Sequence, residues 1–200
     1  MDLTFKQVDV FSTEAFRGNP LAVIVGADGL SDVQMAQIAN WTNLSETTFL
    51  LRPTHPDADY RVRIFTPQTE LSFAGHPTLG SAFVWQSLGG VSKSDVIMQE
   101  CGAGLVPVRS QADRLAFAAP PRRRSGPVGQ DDLTHAFTAL RLAPDDILDA
   151  QWADNGPGWM VLRLPSRRDV LAVQPDWQML KGQRVGIVGA WDPVRDGTNA

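Results

Sequence analysis

The chain has 200 residues, 43% of them hydrophobic and 20% charged, with a formal net charge of −4. That is the composition of a soluble globular protein of one large or two small domains. The net charge gives no reason to expect nucleic acid or an anionic membrane surface as a partner, the Arg122-Arg123-Arg124 run reading as solvated charge rather than a phosphate contact, and no apolar run is long enough to span a bilayer.

The first residues, Met1 to Gln7, lack a charged segment followed by an apolar one, so the expectation is a cytoplasmic protein with no secretory signal. Lys6 to Phe11 alternates as a strand. Phe16-Arg17-Gly18-Asn19-Pro20 is a turn by composition, and Leu21 to Val25 is a short buried strand. Ser31 with Gln34 three residues on forms a capping-box pattern, opening a short helix that ends near Asn40 to Asn43. Thr47 to Leu51 and Tyr60 to Phe65 read as two strands of a hairpin. In the second, Tyr60, Val62 and Ile64 share one face, with Arg61 and Arg63 on the other.

A Pro-containing turn then leads to Gly75-His76-Pro77. The residues that follow, Thr78 to Trp85, are small or apolar on every side, which predicts a buried helix. Pro77 suits its first turn, and Leu88-Gly89-Gly90 ends it. The N–H groups and dipole at its start form a place for a carboxylate or an oxyanion. Val96 to Gln99, Leu105 to Val108 and Arg114 to Phe117 read as strands. The single cysteine, Cys101, rules out an internal disulfide and reads as a buried, inert thiol.

The run 119–130, rich in Pro, Gly and Arg, reads as a linker between a first domain, 1–118, and a second segment, 131–200. In the latter, Asp131 to Leu142 is a helix, Gln151 to Ala153 and Trp159 to Leu164 are strands, Asp169 to Val173 is a strand or short helix, and Val185 to Ala190 is a buried strand. The tail from Trp191 to Ala200 is polar and turn-like.

Three stretches carry candidate chemistry. Glu46, in Asn43-Leu44-Ser45-Glu46-Thr47, lies at the lip of a strand beside apolar Leu44; it is either a general acid/base favoured by desolvation or a strand-end charge. His76 is either a proton relay held neutral by the helix dipole or a simple cap. Asn19 either contacts a polar ligand or belongs to a plain turn. His55 and His135 have no partner at metal-ligand spacing, and no metal is expected.

Val8-Asp9-Val10-Phe11, Gly18-Asn19-Pro20-Leu21-Ala22-Val23, Asn43 to Thr47, Arg63-Ile64-Phe65-Thr66-Pro67 with Glu70, and Phe73 to Gly80 occur in one order over residues 8–85. Together they resemble the PhzF-like family of phenazine-biosynthesis isomerases. The resemblance implies an α+β, diaminopimelate-epimerase-like fold: two similar halves, each a curved, mostly antiparallel sheet around a central helix, with the active site between them. It implies cofactor-independent proton transfer on a small carboxylate, with Glu46 as acid/base and His76 in the same pocket. Asn19, Ser45, Gly75 and Thr78 are then the expected substrate contacts, and a homodimer the expected assembly. The related epimerases use two cysteines, and Cys101 lies in neither matching motif.

Family members carry a Glu-Asp-Pro-x-Thr-Gly-Ser motif in the second half that this sequence lacks. The second half is therefore expected to be incomplete, without its central helix, leaving Val161, Leu162, Val185 and Ile187 uncovered and isomerase activity weak or absent. Two further readings stay open: a non-catalytic ligand-binding or interaction protein that keeps a half-site, and an amino-acid epimerase or racemase.

Overall fold

A computed structural model describes residues 3–111, 114–155 and 157–196. The chain forms two compact units, Met1–Pro120 and Pro121–Ala200.

The first unit contains β1 (Thr4–Val10), β2 (Asn19–Val25), α1 (Asp32–Thr42), β3 (Thr47–Leu51), β4 (Tyr60–Phe65), β5 (Glu70–Leu71), α2 (Gly75–Ser87), β6 (Ile97–Cys101), β7 (Gly104–Gln111) and β8 (Arg114–Phe117). One sheet runs β1-β2-β3-β4-β6-β7-β8, with β5 added beside β4. The pairs β2–β3 and β4–β6 are parallel and the others antiparallel.

Both faces of its central strands are covered, which is why β2 reads as a continuous apolar run rather than an alternation. Leu21 and Val23 point to the face that carries α2, whereas Ile24 packs with Met35 and Ala39 of α1 and with Phe49 and Phe65. Tyr60, Val62 and Ile64 join the α2 side, as their spacing predicts. Ser31 and Gln34 form the expected capping box, and Asn43, in the left-handed region at φ 53°, ends α1.

The helix α2 touches β1, β2, β3, β6 and β8. Since β1 and β8 are the two ends of the strand path, the sheet curls around α2. At Gly80 the packing is so close that a Cβ would come within 2.5 Å of Leu21 Cδ2 and 3.0 Å of Val10 Cγ2. The curl does not close. An all-round apolar helix is expected to be wholly buried, but Phe83 is 56% exposed. It faces a cleft of about 820 Å³ between β1 and β8, lined also by Val8, Phe11, Leu79 and Leu115.

The second unit contains β9 (Arg124–Pro127), α3 (Gln130–Leu140), β10 (Asp149–Asp154), β11 (Met160–Leu164), α4 (Arg167–Ala172), β12 (Val185–Gly189) and α5 (Pro193–Asp196). Its sheet runs β12-β11-β10-β9. β9 lies inside the run expected as a linker. Its backbone pairs with β10, and the Arg124 guanidinium lies 3.4 Å above the Trp152 ring centroid.

Met160, Leu162 and Leu164 pack with Ala136 and Leu140 of α3. Leu162 is thus fully buried rather than uncovered, and Val185 and Ile187 are half-buried on the same face. The helix α3, which Ala136 and Leu140 anchor, covers one side of the sheet. The opposite side, with half-buried Val161 and 48%-exposed Val188, is the more open one. The turn-like reading of the tail gives way to α5 at Pro193–Asp196, and positions 197–200 lie outside the described residues.

Candidate active site

The topology of the first unit brings three motifs to one end of its sheet. Because β2 and β3 are parallel, with Ala22 opposite Thr47, their N-terminal ends lie side by side: Asn19 and Pro20 on one, Ser45 and Glu46 before the other. β4 runs antiparallel to β3, so Phe65 at its end pairs with Thr47. A tight turn follows, in which the Thr66 N–H bonds to the Thr69 carbonyl, and β5 then delivers the chain to the start of α2.

His76 Nε2 stands 3.5 Å from Glu46 Oε2, with the two side chains 8% and 17% exposed. Nε2 is buried and makes no hydrogen bond among the described residues. Burial pushes the imidazole below its ordinary value, while the Glu46 charge and the backbone of Pro20 act in the opposite sense. The net direction is a neutral imidazole near pH 7, able to take or return a proton across the gap to Glu46.

Gly75 opens α2, and a Cβ there would press on Phe117 at 3.1 Å. The Thr78 N–H bonds to the Ala74 carbonyl, and Pro77 has no N–H. The first turn therefore has the Gly75 and His76 amides to offer an anion.

The other expected contacts divide. Ser45 Oγ donates to Asn19 Oδ1 at 3.3 Å, so these residues brace each other. The Thr78 side chain faces the core. It is fully buried; its hydroxyl donates to the Ala74 carbonyl at 3.0 Å and accepts from Gln99 Nε2 at 3.0 Å. Its position in the first turn of α2 points it into the core, where it anchors the helix.

Sequence reasoning names Asp9 within a motif but gives it no role. Its Oδ2 accepts from the N–H groups of Arg17 at 3.0 Å and Gly18 at 3.1 Å, closing the loop that leads to Asn19. A carboxylate in a strand just before a Gly-Asn-Pro turn is the signal that could have found it.

Neither Glu46 nor His76 lines the 820 Å³ cleft beside Phe83. Among the described residues no three His, Cys, Asp or Glu side chains converge as a metal site, and no helix is long and apolar enough to cross a membrane. Cys101 is buried, its thiol pushed up chiefly by desolvation.

The chain is 43% identical over 185 residues to antisense-enhancing sequence 1 of Schizosaccharomyces pombe, covering 88% of this chain and 62% of that protein. It is 47% identical over 100 residues to trans-2,3-dihydro-3-hydroxyanthranilate isomerase of Pseudomonas aeruginosa, covering 50% of this chain and 34% of the relative. The chain thus spans less than two thirds of either relative's length. A phenazine biosynthesis protein of the PhzF family from Enterococcus faecalis superposes with a TM-score of 0.70 at 27% identity, over 94% of this chain and 68% of that one. The curved sheet around α2 is the diaminopimelate-epimerase-like arrangement that the motifs implied. The sequence profile of phenazine biosynthesis-like proteins matches residues 8–199, and the chain belongs to that family.

Proposed function

We propose that this chain carries the proton-transfer half-site of an isomerase acting on a small carboxylate, with Glu46 as general acid/base and His76 assisting. The observation that carries the reading is the buried, unpartnered His76 Nε2 facing Glu46 Oε2 at 3.5 Å beside the start of α2. The Gly75 and His76 amides hold the substrate carboxylate. Glu46 removes a proton from one carbon of the bound molecule and returns it to another. His76, neutral and shielded from water, accepts or supplies the same proton, so the pair needs no external acid between steps. The reading calls for no metal or organic cofactor. Named isomerases among the relatives support it, as does the family match. A cytoplasmic location and a homodimer belong to the same reading.

The test uses the substrate class named by the relatives. Trans-2,3-dihydro-3-hydroxyanthranilate is incubated in heavy water with the chain and with Glu46→Gln, and deuterium at carbon is followed by NMR. The expected result is slow incorporation, in keeping with the weak activity expected of a half-site, that falls at least ~100-fold in Glu46→Gln, the lower end of what a positioned acid/base contributes. Equal incorporation in the two proteins would sink the proposal.

A further inference from the structure

The loop between β1 and β2 is pressed onto β1 at two points. Asp9 Oδ2 receives the Arg17 and Gly18 N–H groups at 3.0 and 3.1 Å. At Gly18 the chain passes so close that a Cβ would lie 2.3 Å from the Val10 carbonyl oxygen. The loop reaches this position through Phe11 and Phe16, both with φ at 68°, a region that bulky residues adopt only when held there. Phe16 is almost fully exposed, so no packing of its own side chain holds it. The loop is held instead by the charge-assisted bonds to the Asp9 carboxylate, together with bonds within it from Arg17 N–H to the Glu14 carbonyl and between Ser12 Oγ and the Glu14 backbone.

Beyond the lock the same strap reaches both members of the proton-transfer pair. Asp9 lies opposite Pro20 in the β1–β2 ladder, and Val10 opposite Asn19. Asn19 Oδ1 accepts from Ser45, the residue before Glu46, at 3.3 Å. The backbone of Pro20 acts on the ring of His76. One short segment is therefore bonded to the Glu46 side through Asn19 and Ser45 and acts on the His76 ring from Pro20.

We propose that Asp9 is a positioning residue for this pair: by locking the strap at Arg17 and Gly18, it sets through Asn19 and Pro20 how far Glu46 stands from His76. This rests on the proton-transfer reading above. It assigns Asp9 no contact with substrate, and it makes Asn19 and Ser45 a brace rather than a binding surface.

The separation can be read without substrate. Among the described residues, Glu46 is the charged group whose field acts on the His76 ring. The downward shift of the His76 titration midpoint caused by Glu46→Gln therefore measures their coupling. Ring-proton NMR follows it in the wild-type chain, Glu46→Gln, Asp9→Ala and the double variant. His55 and His135 serve as internal references. The expected result is a clear shift in the wild-type background, reduced to half or less in the Asp9→Ala background. Asp9→Asn keeps an acceptor oxygen for both N–H groups and is expected to retain it. Ser45→Ala cuts the brace without touching Asp9 and is expected to weaken it, which keeps the test decisive should Asp9→Ala fail to fold. Undiminished coupling in the folded Asp9→Ala and Ser45→Ala variants overturns the proposal, even where the melting temperature falls. A merely structural Asp9 lowers stability and leaves the pair where it stands. The coupling is measurable whether or not the protein turns over substrate, so failure of the proposed reaction remains a separate result.

Discussion

His76 Nε2 and Glu46 Oε2 face each other at 3.5 Å, inside a unit where the imidazole is 8% exposed and, among the described residues, has no other partner for that nitrogen. The arrangement couples the site to the stability of the fold. Removing water from the ring disfavours its charged form, which lowers its affinity for a proton in the folded state relative to 6.5 for the free side chain.

The sign of the pH effect follows. Between the depressed folded value and 6.5 the unfolded chain binds more protons than the folded one. Stability is complete above about pH 6.5 and is lost as the pH falls through the folded value. One proton limits the slope to about 1.4 kcal/mol per pH unit. Urea denaturation from pH 7.5 to 5, in the wild-type chain and in His76→Gln, is expected to show a drop in the former that is smaller in the latter. Parallel curves would mean that the ring titrates alike in both states.

Two glycines in tight contacts separate backbone crowding from side-chain crowding. At Gly18 a Cβ would lie 2.3 Å from a backbone oxygen, which cannot step aside without moving β1. At Gly80 the obstacle at 2.5 Å is the end of the Leu21 side chain, which can rotate. Gly80→Ala also gains about 1 kcal/mol of helix propensity, against about 1–3 kcal/mol of overpacking. Gly18→Ala has no such gain and carries the full cost. Chemical denaturation is expected to place Gly18→Ala at least ~1 kcal/mol below Gly80→Ala; the reverse order would contradict the close approach at the strap.

Arg63 ties three elements together. Its Nε and Nη2 donate to the two carboxylate oxygens of Glu70 at 2.8 and 2.7 Å, and Nη1 donates to Asp32 in the first turn of α1. The guanidinium is mostly covered, but Asp32 is 82% and Glu70 41% exposed. Solvent screening therefore discounts the pairs, leaving about 1 kcal/mol for the two-bonded Glu70 contact alone. Arg63→Lys retains the charge and loses the fork, so it is expected to lose most of that contribution. A melting temperature equal to wild type would show that the bidentate geometry contributes nothing.

What the sequence made legible is what local pattern controls. The Ser31–Gln34 box and the apolar runs at Leu21–Val25 and Thr47–Leu51 announce α1, β2 and β3, because each is specified within a few residues. The start of α2 follows from Gly75-His76-Pro77 for the same reason. β9 was hidden, since a Pro- and Gly-rich strand is held by its partner's backbone rather than by its own side chains. The exposure of Phe83 was hidden too, because it depends on whether the sheet closes around α2. In the site, the motifs carrying Glu46 and His76 mark two side chains that the fold brings to 3.5 Å. The core-facing Thr78 side chain was not legible, because the same first turn that offers amides to a ligand also turns a side chain inward, and spacing along one helix does not say which.

That inward side of α2 yields the last expectation. Gln99, fully buried, receives the Tyr60 hydroxyl on Oε1 at 2.9 Å and donates from Nε2 to Thr78 Oγ1 at 3.0 Å. Thr78 passes the chain on to the Ala74 carbonyl at the N-cap of α2. Burial holds the Tyr60 hydroxyl protonated well beyond its ordinary range, so it remains a donor at any pH the fold survives. Gln99→Leu preserves bulk but leaves the Tyr60 hydroxyl without its acceptor, at about 1–3 kcal/mol. Tyr60→Phe removes the donor and leaves Gln99 Oε1 unpaired, at a similar cost. Combining the two removes both ends of the first bond at once, so the double variant is expected to lose less than the sum of the singles. Denaturation of the four proteins measures the difference; strict additivity would show that the two side chains do not depend on each other, and that the network does not extend from β4 to the start of α2.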